Sequence, residues 1–125
     1  MRILSYSPTE WVVIDPRYPV ASPSAIRTVQ HVPKFTAKGA RWEWNGDVDF
    51  PTITPSVNES WGPIPESHRQ QGEPETARNH YIITAGRIHY CSDSTHSFAG
   101  QTLELPCFTE AEVRFYLDRV KESPS

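Results

Sequence analysis

Twelve prolines are spread over 125 residues, about twice the ~5% of average usage, and they constrain the fold more than any other feature. A proline lacks a backbone donor and breaks a helix interior, so a helical bundle is excluded. A β-rich domain with long ordered loops remains. The apolar fraction is only 37%, but fourteen rings (four Trp, five Tyr, five Phe) supply the bulk for a core. A chain of this length buries roughly two-thirds of its unfolded surface and needs no disulfide scaffold. We therefore expect a single domain over residues 1–125.

Charge narrows the partners. Twelve basic and fifteen acidic side chains give a net charge of −3, with no clustered positive field, which argues against nucleic acid. No apolar run approaches the ~20 residues of a membrane span, and Met1–Pro8 lacks the pattern of a secretory leader. Two cysteines, Cys91 and Cys107, make no disulfide framework. The expected compartment is the cytoplasm.

Along the chain, Glu10–Ile14 and Ala25–Val32 read as strands ended by proline. Trp42 and Trp44 project from one face of a strand fragment, and Asn45-Gly46 is a strong turn signal. Val48–Val57 is extended but carries Pro51 and Pro55, which suit an edge strand or an irregular loop and not a central ladder position. The polar segment 58–78 reads as a long flexible loop. His80–Cys91 is the clearest hairpin, turning at Ala85-Gly86, with Tyr81, Ile83, Ile88 and Tyr90 on the core face. The other face carries His80, Ile82, His89 and Cys91. Thr102–Leu105 reads as the last strand. Thr109-Glu110-Ala111-Glu112 is a capping box opening the one clear helix, whose apolar stripe packs on a sheet. The fold class is α+β, mainly an antiparallel sheet with one C-terminal helix.

Three of the five histidines fall between positions 80 and 96, beside Cys91, Asp93 and Ser94. Imidazole and thiolate are zinc ligands, and the hairpin register sets His80 opposite Cys91, within reach of one metal. The metal candidates are His80, His96, Asp93 and His89, and the expected arrangement brings the rings of His80 and His96 into one pocket. The expected cofactor is zinc or none. A nucleophile pair of Ser94 with His96 as base is the weaker reading, because Asp-Ser-Thr clusters more often form turns. Trp42 and Trp44 offer flat faces for stacking, against the plainer reading as core.

The segments Trp42-x-Trp44-Asn45-Gly46, Pro51-Thr52-x-Thr54-Pro55-Ser56-Val57, His80, Gly86-Arg87-Ile88 and Asp93–Pro106 form a recurring pattern. It resembles a group of small bacteriophage and prophage proteins that are often mislabelled "ammonia monooxygenase". The resemblance implies a zinc-ribbon-like site. In this chain Asn79 and Ser94 stand where that group has cysteines, while His80 and His96 are retained. Trp42, Trp44, Asn45, Thr52, Ser56, Ser94 and Gln101 are the candidate binding residues within the pattern. The resemblance implies a phage-type accessory protein that binds a protein partner, with counter-defence as one version. The alternatives are a metal-dependent hydrolase using His80, His96 and Asp93, and a minor part of a phage particle.

Overall fold

The computed structural model describes residues 1–18, 25–62 and 76–122. Among these described residues, eight strands and one helix make three layers. Strands β1 (Leu4–Ser5), β2 (Glu10–Ile14) and β3 (Val29–Pro33) form an antiparallel sheet in the order β1-β2-β3. Strands β4 (Glu43–Trp44), β5 (Ile53–Trp61), β6 (Ala77–Thr84), β7 (Arg87–Tyr90) and β8 (Thr102–Glu104) form a second sheet in sequence order. Helix α1 (Glu110–Glu122) closes the described chain. The α+β, β-rich architecture agrees with the sequence.

Strand β2 explains the layering. Its residues alternate between two cores, and Trp11, Val12, Val13 and Ile14 are all buried. Trp11 and Val13 face the five-stranded sheet and join Val32, Ile53, Val57, Tyr81, Ile83, Ile88 and Tyr90. Val12 and Ile14 face the helix and meet Phe108 and Tyr116. A strand covered on both sides reads as a continuous apolar run, and Trp-Val-Val-Ile is such a run.

The central hairpin follows its sequence signals. Tyr81 pairs with Tyr90, Ile82 with His89, Ile83 with Ile88 and Thr84 with Arg87. Ala85 and Gly86 both have positive φ, at 50° and 80°, as a two-residue primed turn requires. A side chain at Gly86 would also meet the Asp49 carbonyl at 3.3 Å.

Two expectations are corrected in extent. Strand β5 runs on to Trp61 and β6 begins at Ala77, so the ends of the expected loop 58–78 are paired strand. Residues 63–75 of it lie outside the described residues. The proline-bearing stretch is not an outer edge either, because β5 lies between β4 and β6. Pro55 is accommodated by an irregularity. Between the pairs Ile53↔Ile83 and Val57↔Tyr81, β5 spends four steps where β6 spends two. Three residues of β5, Thr54, Pro55 and Ser56, therefore stand opposite Ile82 alone.

Candidate active site

The bulge sets the geometry. Beyond it, Asn58 pairs with His80 and Val57 with Tyr81. Tyr81 is fully buried against the inner core, so His80, one residue earlier, points to the outer face of the five-stranded sheet. Asn58 shares that face, and so does Ser56 two residues before it. The Ser56 Oγ lies 3.1 Å from His80 Nε2. On the other side of the ring, His80 Nδ1 lies 2.9 Å from Asp93 Oδ1. Because a carboxylate only accepts, Nδ1–H donates to Asp93, and Nε2 is left as the acceptor for the Ser56 hydroxyl proton.

The surroundings hold each member in place. The Trp42 indole N–H donates to the Ser56 carbonyl at 3.1 Å. His80 is clamped through its backbone: its N–H donates to Ser94 Oγ at 2.9 Å, and Ser94 Oγ–H donates to the His80 carbonyl at 3.0 Å. Asp93 sits in a turn closed by Ser94 N–H to the Cys91 carbonyl, 3.0 Å. The loop is tied back to β6 by Thr95 N–H to the Arg78 carbonyl at 2.9 Å. The Arg78 guanidinium donates to Asp93 Oδ2 at 3.2 Å. The hydrogen bonds from His80 and Arg78 hold the Asp93 carboxyl below its usual range. Cys91 is next to this turn, and burial together with the Asp93 charge pushes its thiol up.

The sequence-derived metal set separates. His80 and Asp93 are together, but His96 lies on the opposite side of β6, where its Nε2–H donates to Asn79 Oδ1 at 2.9 Å. Neighbouring strand residues Asn79 and His80 point to opposite faces, so the two imidazoles do not share a pocket. His89 bonds through Nδ1 to Thr102 Oγ1 at 2.7 Å. The Ser94–His96 pair is not formed either, since Ser94 Oγ is engaged by the His80 backbone. Asn79 does not meet the zinc-ribbon expectation: its amide donates to Gln30 Oε1 at 3.1 Å and accepts from His96. That side offers a metal one imidazole and no thiolate.

The remaining candidates shape the scaffold. Trp44 packs edge-on against Trp11, with centroids 6.4 Å apart, and both Trp42 and Trp44 lie against the core. Asn45 Oδ1 accepts from Asp47 N–H and Thr52 N–H, both at 3.1 Å, ordering the turn before β5. Thr52 Oγ1 accepts from Ala85 N–H at 2.9 Å. Gln101 donates to the Ser97 carbonyl at 3.4 Å. Ser56, one of the candidate binding residues, is the partner of His80. The alternating register that places Asn58 opposite His80 was the available signal, hidden because 58–78 read as loop.

A serine, a histidine and a carboxylate in a hydrogen-bonded relay define a chemistry by geometry and not by position in the chain. Comparison with known families bears on the same chemistry. A family model described as "Bacterial ubiquitination-like system serine protease (BubE)" matches residues 22–91, more than half of the 125-residue chain. The chain belongs to this family. The matched span includes Ser56 and His80 and ends two residues before Asp93. No curated protein and no solved structure matches the chain. Membership overturns the expectation of a phage accessory binding protein, and with it the metal-dependent hydrolase and the phage-particle alternatives. Among the described residues, no helix is long and apolar enough to cross a membrane.

Proposed function

We propose that this protein is a serine protease in which Ser56 is the nucleophile, His80 the general base and Asp93 the residue that orients the base. The observation that carries the reading is the relay Ser56 Oγ···His80 Nε2, 3.1 Å, and His80 Nδ1···Asp93 Oδ1, 2.9 Å. Both distances fall within the range in which a base can take a nucleophile's proton. Family membership supports the same reading.

In this mechanism the Ser56 oxygen attacks the scissile carbonyl while His80 Nε2 takes its proton. His80 then gives that proton to the leaving amine, and the C–N bond breaks to leave an acyl ester on Ser56. Water, deprotonated by the same imidazole, attacks the ester; the acyl C–O bond breaks, His80 returns the proton to Ser56 Oγ, and the carboxylate product leaves. Asp93 keeps Nδ1 protonated throughout and stabilises the imidazolium that forms at each step. The substrate is a protein or conjugate of a bacterial ubiquitination-like system, cleaved at an amide bond.

A fluorophosphonate probe tests the nucleophile directly, because it modifies only an activated serine. Labelling confined by peptide mass spectrometry to Ser56, and lost in Ser56→Ala and His80→Ala, is expected. Label on another residue, or equal labelling of the His80→Ala protein, refutes the assignment.

A further inference from the structure

The thiol of Cys91 takes no part in the relay, yet it stands against it. One ligand atom each from His80, Cys91 and Asp93 lie within 4.8 Å of one another. Cys91 is half-buried and carries no disulfide. The backbone fixes this placement, since Cys91 N–H donates to the His80 carbonyl at 2.7 Å, continuing the hairpin register by one pair. Imidazole nitrogen, thiolate and carboxylate are the donor types of zinc, with bonds of about 2.0–2.3 Å. Ligand atoms around a tetrahedral zinc therefore stand roughly 3.3–3.7 Å apart, so a contraction of about 1 Å closes the present group on an ion. The carboxylate is free to adjust: Asp93 sits on a turn, and its ion pair with Arg78 is exposed on both sides, 41% and 44%. Exposed pairs of this kind contribute little and give way to a stronger partner.

We infer that His80, Cys91 and Asp93 form a binding site for a thiophilic divalent cation, zinc first, and that its occupancy switches the protease off. The inhibitory half rests on the proposed triad; the binding half does not. Zinc coordinates through the Nδ1 lone pair, so the imidazole proton must reside on Nε2. An Nε2–H cannot accept the Ser56 proton, and Asp93 is drawn from orienting the base to ligating the metal. The thiol proton is released to solvent as the zinc–sulfur bond forms, and no electron is transferred. Three protein ligands leave one position for water, consistent with reversible binding. This site is separate from the zinc-ribbon positions at Asn79 and Ser94, which lie on other bonds.

The test uses the full chain carrying Cys107→Ser, so that Cys91 is the one thiol. Cobalt(II) serves as the optical probe and zinc chloride as the inhibitor. Stoichiometric cobalt is expected to produce a thiolate-to-metal charge-transfer band that disappears in both Cys91→Ser and Cys91→Ala. Zinc is expected to stop fluorophosphonate labelling of Ser56, with recovery on adding a chelator. The Cys91 variants should label at the metal-free rate and need at least about tenfold more zinc for the same inhibition, the loss that even an outer-shell partner produces. A cobalt band that survives loss of Cys91, or equal zinc sensitivity with and without the thiol, overturns the proposal. Absence of labelling in the metal-free protein would count against the triad instead, and the cobalt band would still decide the metal site.

Discussion

Ser56, His80 and Asp93 come from three separate stretches of chain, and each depends on a neighbour that does no chemistry. Replacing Ser56 with Ala removes the nucleophile, and amide hydrolysis should fall by about 10⁶-fold. Asp93→Asn lets the amide donate to Nδ1, which favours the tautomer with its proton on Nε2, and a loss of up to about 10⁴-fold in kcat is expected. Steady-state hydrolysis with folding checked by circular dichroism separates these losses from unfolding; an unchanged kcat in Asp93→Asn would remove the carboxylate from the mechanism. Ser94 acts one step further back. Its hydroxyl both accepts from and donates to the His80 backbone, and it is 8% exposed. Ser94→Ala strands both groups, and should cost about 1–3 kcal/mol in denaturant unfolding. No loss would mean that water takes over the hydroxyl's bonds.

At the scale of elements, the hairpin and the helix were legible because their signals are local. Ala85-Gly86 dictates a two-residue turn, the alternation of Tyr81, Ile83, Ile88 and Tyr90 fixes the buried face, and Thr109 with Glu112 writes a helix start. The capping box forms as its pattern requires: Thr109 N–H donates to Glu112 Oε1 at 2.9 Å and Glu112 N–H to Thr109 Oγ1 at 3.1 Å. The triad was not legible as such, because it depends on a bulge. Two extra residues in β5 leave the alternation intact, so Ser56 keeps the face of Asn58 and His80, but nothing in Thr-Pro-Ser announces how many residues will leave the ladder before the pairing resumes. The same limit applies to Arg27. Its guanidinium reaches the fully buried Glu112 from 85 residues away, with contacts of 2.7 and 3.0 Å. That pair docks α1 onto the three-stranded sheet. Arg27→Ala leaves a buried carboxylate without its cation, and a loss of roughly 3–5 kcal/mol is expected by urea unfolding. A loss under about 1 kcal/mol would show that the backbone donors of residues 27 and 109, at 2.9 Å each, hold the carboxylate without the guanidinium.

The whole molecule joins its two sheets through polar groups as well as apolar ones. Gln30, from β3, accepts from Arg17 at 3.2 Å and from Asn79 at 3.1 Å, and donates to Glu59 at 3.1 Å. Asn79 passes the network on to His96, whose ring stands edge-on to Tyr90 with centroids 4.8 Å apart. His96 is held neutral there. Burial and the Arg17 charge push its pKa below the ordinary 6.5. The hydrogen bonds agree, since Nδ1 accepts from Phe98 N–H at 3.2 Å and protonation would set two donors face to face. A depressed folded pKa gives stability that is present above the unfolded value and lost as pH falls through the folded one. His96 therefore begins to weaken the sheet-to-sheet junction below pH 6.5. Glu59 titrates in the opposite sense, because burial raises its pKa, so its protonation in the fold partly offsets the loss at lower pH. Glu112 adds a second acid step: its bonds to Arg27 and Thr109 hold it at about 2 against an ordinary 4.5, so its contribution is complete above pH 4.5 and fades towards pH 2. The upper step is separable by His96→Gln, which keeps a donor for Asn79 and an acceptor for Phe98 but cannot titrate. Urea unfolding between pH 7 and 5 should show stability falling in the wild-type protein and, in His96→Gln, staying level or rising slightly as Glu59 takes up its proton. Parallel decline in the two proteins would assign the loss to another group and leave the junction indifferent to the charge of this imidazole.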